Sequence, residues 1–350
     1  MHIAIVGAGV VGLTSGVRLR ELGHAVTIFA ERRTPETTSD RAAAAFTPPR
    51  GPLAERTLAW VRASCRAFEE LARTTPESGV DLALFRELST EPMHALPAWA
   101  ADIQGFQRLT GLPPPHRDGW AAVLPRIDMT RYLPWLERRF EHELGGAFVS
   151  ARLLDLGEPF DEGFELVVNA SGLGARRLAR DEAVVPIRGQ VLHVPNVLHL
   201  DTVLCDESRG RPCTYVIPFP SHVVVGGTFE PDEWIEECDE PALASMLDRA
   251  RELLAQSGVQ HSERLGRQRL RALAGLRPGR KIGAQEDCVR LERVELAPGR
   301  PLVHAYGHGR AGVTLSWGCA EDVARLCTDG ALGGAHEDPP PANHARARSA

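Results

Sequence analysis

The chain has 350 residues, 43% of them hydrophobic and 25% charged, and a net charge of −6 at pH 7. That length supports two domains with sizeable cores, and the composition is ordinary for a globular protein. The acidic balance and the lack of a long basic stripe argue against a nucleic-acid partner, and no apolar run approaches the ~18 residues of a membrane span.

Residues 2–6 (HIAIV) read as a short buried strand. Gly7, Gly9 and Gly12 follow in G-A-G-V-V-G, and a helix is expected over 11–22 with Leu13, Val17 and Leu22 on one side and Gly23 closing it. A second strand over 25–29 leads into Glu31 and Arg32. Gly7 permits the tight turn, Gly9 lets the backbone approach a pyrophosphate, and Gly12 lets helix and strand pack closely. The helix N-terminus, with Ala8, Val10 and Val11 around it, offers N–H groups and partial positive charge to phosphates. Glu31 is placed to hydrogen-bond a ribose hydroxyl. Together these features define a dinucleotide cradle, and its position as the first element is the one expected for FAD.

The next stretch, RRTPETTSDRAAAAF, is polar and ends in small residues that include Ala43 and Ala44. Thr37, Thr38 and Ser39 carry hydroxyls suited to phosphate, although taken alone the stretch reads as a solvated turn. A helix is expected over 53–71, with Leu58, Val61, Cys65, Phe68 and Leu71 on a common side, and a strand over 82–88. Residues 93–125 show no clear period and are expected to be irregular. Asp128 or Thr130 caps a helix carrying Tyr132, Trp135, Leu136 and Phe140, and Pro134 is expected near its first turn. A strand over 147–156 and a buried strand over 164–169 precede a second glycine turn, A-S-G-L-G-A, with Ser171 and Gly172. This is the form expected of a second edge of a cofactor cleft, and equally of a plain strand-to-helix loop.

From 185 to 290 short strands succeed one another, interrupted by one helix opened by Pro241 and closed near Gly258. Strands without intervening helices imply an antiparallel sheet and a second domain of α+β type. The chain then returns to strand and helix: residues 301–306, the loop GHGRAG, and a helix from about Gly312 to Leu326. The rest is rich in Gly, Pro and charge, and disorder is expected over 331–350. The seven cysteines form no CxxC pair and no metal-ligand spacing, so no metal is expected, and reduced thiols in a cytoplasm fit them best. The near-exclusive use of Arg, with Lys281 the one lysine, is read as the codon bias of a GC-rich, bacterial genome. Neither end reads as a signal peptide or a peroxisomal signal.

These stretches, in this order, resemble the D-amino-acid oxidase family of flavoproteins. GAGVVG, TTSDRAAA, VVNASGLGA, PIRGQV, YVIP with GGTF, GLRPGR and HAYGHGRAGVTLSWGCA carry the resemblance over nearly the whole chain. It implies an α/β fold: a Rossmann-like FAD-binding domain (1–45, 140–186 and 268–330) with a mostly antiparallel α+β substrate domain (46–139 and 187–267). It implies a D-α-amino acid and dioxygen as substrates, with keto acid, ammonia and hydrogen peroxide as products. Arg277 would pair in two-pronged fashion with the substrate carboxylate, Tyr215 would add its hydroxyl, and hydride would pass from Cα to flavin N5. Without the resemblance Arg277 reads as a surface arginine and Tyr215 as a core tyrosine. Gly309, the backbone of Arg310, Ala311, Gly312, Val313 and Thr314 would face the flavin, with the helix N-terminus answering the charge that develops there. The family usually has glycine at the place of Arg310 and a larger residue at that of Ala311. A side chain at a positive-φ position there costs on the order of 1 kcal/mol, so a differently shaped loop is expected.

Two features bear on the substrate's side chain. Arg211, with Arg209 near it, stands in the lid before Tyr215 and would suit an acidic substrate, whereas Phe229 in GGTF suits a neutral one. Glycine- or sarcosine-type amine oxidases and dehydrogenases share the fold, and a catalytically silent flavoprotein is the remaining alternative. No membrane or nucleic-acid partner is expected. The resemblance admits a homodimer, while the sequence sets no oligomeric state.

Overall fold

The structure, a computed structural model, describes residues 1–48, 53–208, 213–283 and 288–328. Arg209, Arg211 and the expected disordered tail lie outside the described residues. β1 (His2–Val6) is buried along most of its length and runs into Gly7; α1 (Val10–Glu21) starts at once, and β2 (Ala25–Ala30) returns parallel to β1. Gly7 holds φ +111°, a region that residues with a Cβ rarely enter, and a Cβ there would stand 2.5 Å from the Ala170 carbonyl oxygen. A Cβ on Gly12 would overlap the Gly7 carbonyl. The protein's own packing therefore demands both glycines.

α2 (Glu55–Thr74) buries Trp60, Val61, Cys65 and Phe68, as its period requires, and β3 (Val80–Ser89) follows. The stretch expected to be irregular instead contains β4 (Gln107–Thr110) and the ten-residue β5 (Asp118–Ile127). β5 shows no alternation because nine of its ten residues are buried, so the period-two signal is absent. It also holds Pro125, which is disfavoured inside a sheet. Here β4 covers only residues 118–121 of β5, and the Pro125 carbonyl accepts from Phe46 N at 3.1 Å beyond β4's end. The missing N–H faces that same side, outside any ladder.

α3 (Met129–Arg138) is capped by Asp128, whose carboxylate accepts from Thr130 N at 3.0 Å. Pro134 sits beyond the first turn, contrary to expectation. It removes one ladder hydrogen bond, and burial of Tyr132, Leu133, Trp135 and Leu136 on the same helix holds the helix together. β6 (Ala147–Ser150) is shorter than the expected strand, and a one-turn helix, α4 (Glu158–Asp161), occupies part of the connection to β7 (Leu166–Asn169). The second glycine turn leads into a short α5 (Ala175–Leu178).

Next come β8 (Val184–Pro195), β9 (Val203–Asp206), β10 (Thr214–Pro218), β11 (His222–Gly226) and β12 (Glu230–Pro231). α6 (Glu240–Gln256) then packs Leu243, Met246, Ala250 and Leu253 inward. β13 (Arg271–Arg280), rich in turn formers and not anticipated as a strand, pairs with β8 from Arg271↔His193 to Arg280↔Val184. β14 (Arg290–Ala297), also unanticipated, β15 (Arg300–Tyr306) and α7 (Gly312–Thr328) complete the fold.

The strands form two sheets. One has six strands in the order β14-β15-β7-β1-β2-β6, parallel except for β14. The other has nine strands, β12-β8-β11-β10-β9-β3-β5-β4 with β13 also on β8, antiparallel except between β3 and β9. This is the α/β architecture with a second, mostly antiparallel sheet that the sequence implies. Residues 271–280, expected with the terminal part of the first domain, join the larger sheet. α7 packs on α1 and α2, where a Cβ on Gly318 would overlap the Trp60 backbone. Among the described residues no helix is long and apolar enough to cross a membrane.

Candidate functional site

A cavity of about 970 Å³ runs from the N-terminus of α1 to the wall of the larger sheet. That volume stands at the upper end of small-molecule pockets, roughly 300–1,000 Å³. At one end the backbone from Gly7 to Val11 faces it, and Gly9 is the open position: a Cβ there would meet only the Ser39 hydroxyl, at 3.2 Å. Ser39 Oγ accepts from Val10 N at 3.0 Å, placing a hydroxyl at the helix N-terminus. The Thr37 hydroxyl is committed to Asp40, to which it donates at 2.6 Å, while Thr38 lines the cavity. Ala43 and Ala44 line it too, with Ala44 at φ +43°. Glu31 and Arg32 stand at the rim, Glu31 3.7 Å from Arg152 and Arg32 3.9 Å from Glu236. Ser171 and Gly172 bring in the second glycine turn, where the Ser171 hydroxyl donates to Asn169 Oδ1 at 2.6 Å. Gly12 and Ala311 are not on the cavity surface; Gly12 packs beneath Gly7.

At the other end, Tyr215 on β10 and Arg277 on β13 approach each other over a floor of glycine. A Cβ on Gly189 would overlap the Arg277 guanidinium, and Cβ atoms on Gly226 and Gly227 would crowd the Tyr215 ring. The register explains this, since Tyr215 lies opposite Gly226 and β8 separates β11 from β13. Both side chains lie flat across the intervening strands toward one another. Arg277 Nη1 donates to the Thr228 carbonyl at 3.4 Å, and among the described residues no carboxylate pairs with this half-buried cation. Burial pushes the Tyr215 phenol up to about 12, a shift partly offset by the neighbouring Arg277 charge.

Between these ends lies the terminal loop. Its left-handed positions fall on Gly307 (φ +85°) and Gly309 (φ +51°); Arg310 and Ala311 continue in a 3₁₀ turn with ordinary φ. No positive φ falls on 310, so its side chain carries no backbone strain. The Arg310 guanidinium instead lies over the Phe229 ring, 5.1 Å from its centroid. Gly312, Val313 and Thr314 open α7 and face the cavity.

The sequence reading did not single out several residues at the site. His308 is buried on the cavity wall with no partner for Nε2 among the described residues, and burial lowers its pKa to about 4, so it is a neutral imidazole. It lies within a quoted motif, but its type alone signals nothing in a glycine loop. Arg41 donates to the Ala274 carbonyl at 2.7 Å and to Glu236 at 2.9 Å, tying the polar loop to the larger sheet. Trp120 Nε1, buried at the cavity, also has no partner among the described residues. An open position at Gly9, an N-terminal helix end and these unpartnered ring nitrogens around a long cavity fit an extended dinucleotide such as FAD.

The comparisons agree with that fit. The sequence matches the DAO family, described as FAD dependent oxidoreductase, over residues 2–326, and the chain belongs to that family of FAD-dependent oxidoreductases. It is 40% identical to a D-amino-acid oxidase of Rubrobacter xylanophilus over 92% of this chain and 94% of that one. It is 38% identical to a D-amino-acid oxidase of Streptomyces coelicolor, over 93% and 97% of the two chains. Among solved structures, a glycine oxidase from Geobacillus kaustophilus superposes with a TM-score of 0.72 at 22% identity, covering 95% of each chain, which shows the shared fold.

Proposed function

We propose that this protein is an FAD-dependent oxidase of D-α-amino acids, producing keto acid, ammonia and hydrogen peroxide with dioxygen as oxidant. The observation that carries the reading is the Arg277 cation, half-buried and without an ion-pair partner among the described residues, beside Tyr215 and across the cavity from the glycine cradle. Relatives at 38–40% identity that are named D-amino-acid oxidase support it. The six-stranded sheet holds the cofactor and the nine-stranded sheet the substrate, in a cytoplasmic enzyme.

In this reading the chain's residues position and polarise. The Arg277 guanidinium offers two parallel N–H donors that match both oxygens of a substrate carboxylate. Tyr215 donates a third hydrogen bond, because its elevated pKa keeps the phenol protonated at working pH. A substrate amine that arrives neutral needs no side-chain base, so the chain's part in the reaction is positioning and electrostatics. The N–H groups at the start of α7, at Val313 and Thr314, present partial positive charge to the cavity. When bound, FAD would supply the two-electron acceptor for the substrate hydride, with dioxygen as the final oxidant. Gly7 to Val11, Ser39, Ser171 and Glu31 would hold its dinucleotide, and His308 would offer it one further polar contact.

The test is anaerobic addition of D- and L-amino acids to the purified yellow protein. Bleaching of the flavin by D isomers is expected; bleaching only by glycine or sarcosine would replace this reading with an amine oxidase, and no bleaching would overturn both.

A further inference from the structure

The hairpin of β9 and β10 carries chemistry that substrate binding does not use. Tyr215 lies opposite Cys205 and Thr214 opposite Asp206, so the next step of the ladder sets Cys213 against Glu207. With a side-chain period of two, Cys205, Glu207, Cys213 and Tyr215 share one face. All four line the cavity. One donor atom from each of Cys205, Glu207 and Cys213 lies within 4.8 Å of the other two, and Cys205 Sγ is 3.9 Å from Glu207 Oε1. Tetrahedral zinc, with Zn–S of ~2.3 Å and Zn–O of ~2.1 Å, spaces its ligands roughly 3.5–3.8 Å apart. Side-chain adjustments of about 1 Å complete such a set. A disulfide does not fit as well. The two cysteines are diagonal neighbours, with Cα atoms roughly 7–8 Å apart, whereas a disulfide needs about 4.4–6.8 Å.

We propose that Cys205, Glu207 and Cys213 form a binding site for one thiophilic divalent cation, zinc fitting best, and that its occupancy obstructs the substrate pocket at Tyr215. The obstruction rests on the proposed role of Tyr215; the binding does not. Glu87, the register partner of Cys205 on β3, brings a second carboxylate toward Cys205, while Arg249 on α6 donates to Thr214 beside Cys213.

The experiment titrates cobalt(II) into the flavin-loaded enzyme. One equivalent should bind, with thiolate charge-transfer and tetrahedral d–d bands, the latter in the red and clear of flavin absorption, and zinc should displace it. C205S and C213S should lose the bands, C238S should keep them, and E207Q should weaken binding by at least the roughly tenfold to hundredfold that loss of an outer-shell partner costs. Zinc should raise the apparent KM for D-alanine with kcat unchanged. Flavin absorbance reports folding, and if a serine variant fails to fold, the weakening in E207Q carries the test. Bands that persist in both serine variants, unchanged affinity in E207Q, or no bands at a large excess of cobalt would overturn the site. Bands that need both cysteines, with KM unmoved by zinc, would uphold the site and overturn the obstruction.

Discussion

Glycine builds both ends of the cavity, for different physical reasons. In the cradle, Gly7 and Gly12 are fixed by the protein's own backbone, because a Cβ on either would collide with a carbonyl. Gly9 between them is open to the cavity. In the floor, Gly189 and Gly226 clear space for the side chains of Arg277 and Tyr215, which lie flat across them. The first arrangement keeps backbone N–H groups close to a ligand, and the second lets two long side chains cross a sheet and converge. A substitution in the cradle should therefore act on the cofactor or the fold, and one in the floor on the substrate alone.

The sharpest break of this contrast is Gly9→Val. A Cβ at that position would stand 3.2 Å from the Ser39 hydroxyl, a side-chain end that can give by a few tenths of an ångström, so the fold should survive, but the branched side chain occupies the phosphate approach. The variant should purify colourless, with a far-ultraviolet circular dichroism spectrum like the parent's. Full flavin content would remove Gly9 from the cradle.

Arg277→Leu attacks the other end. It should keep its flavin and lose roughly 3–5 kcal/mol of transition-state binding, a fall of hundreds- to thousands-fold in kcat/KM, since the substrate carboxylate would be left without its partner. Activity within a few-fold of the parent would show that the carboxylate binds elsewhere.

Gly189→Ala sharpens the comparison, because it changes no functional group. The new methyl would overlap the guanidinium, which is the free end of a flexible side chain and can yield, so stability should hardly change. A displacement of about 1 Å at the carboxylate can cost roughly a hundredfold in kcat/KM. Flavin content and melting temperature near the parent's, with that loss, would separate floor from cradle; a colourless variant would merge them.

This difference also explains what could be read from the chain. The cradle lies within 31 consecutive residues, where glycine spacing, strand, helix and acid report directly on one another. The floor is assembled from β8, β10, β11 and β13, four segments whose meeting depends on sheet order. Arg277 and Tyr215 were legible only through the family resemblance. β13 itself was hidden by Gly275, Pro278 and Gly279, residues that signal turns when read locally. β5 was hidden by its burial on both faces. At the Arg310 loop, residue type showed only that glycine is absent and the loop differently shaped; that the positive φ values fall on Gly307 and Gly309 is visible only in the fold.

Both regions bury neutral histidines, and acid should expose that. Burial lowers His193, on β8 of the nine-stranded sheet, His304, on β15 of the six-stranded sheet, and His308, in the loop after β15, to about 4. Their folded pKa lies below the unfolded value of ~6.5, so the unfolded chain takes up protons first as pH falls. Their contribution is complete above ~6.5 and is lost progressively toward pH ~4, on the order of 1 kcal/mol per histidine near pH 5.5. Thermal unfolding followed by flavin fluorescence should show a melting temperature several degrees lower at about pH 5.5 than at about pH 7.5. An unchanged melting temperature would mean that these rings find proton acceptors in the folded state.

The smallest expected effect belongs to Tyr215→Phe. The ring stays over Gly226 and Gly227, so the change removes one hydroxyl and leaves the floor packed as before. A hydrogen bond to a charged group is worth about 1.5–3 kcal/mol, and with Arg277 still holding the carboxylate the loss should sit at the low end, roughly tenfold. Because burial holds the phenol near 12, it does not titrate in the working range, and the shape of the kcat/KM profile from neutral to mildly alkaline pH should be the same in parent and variant. The loss should fall mainly on KM, since the hydroxyl contacts a group that does not change charge during the reaction. A variant whose profile gains or loses an ionisation would make Tyr215 a proton carrier. A loss in kcat alone would place its hydroxyl on the reacting amine instead of the carboxylate, and the two ends of the floor would then have separate tasks.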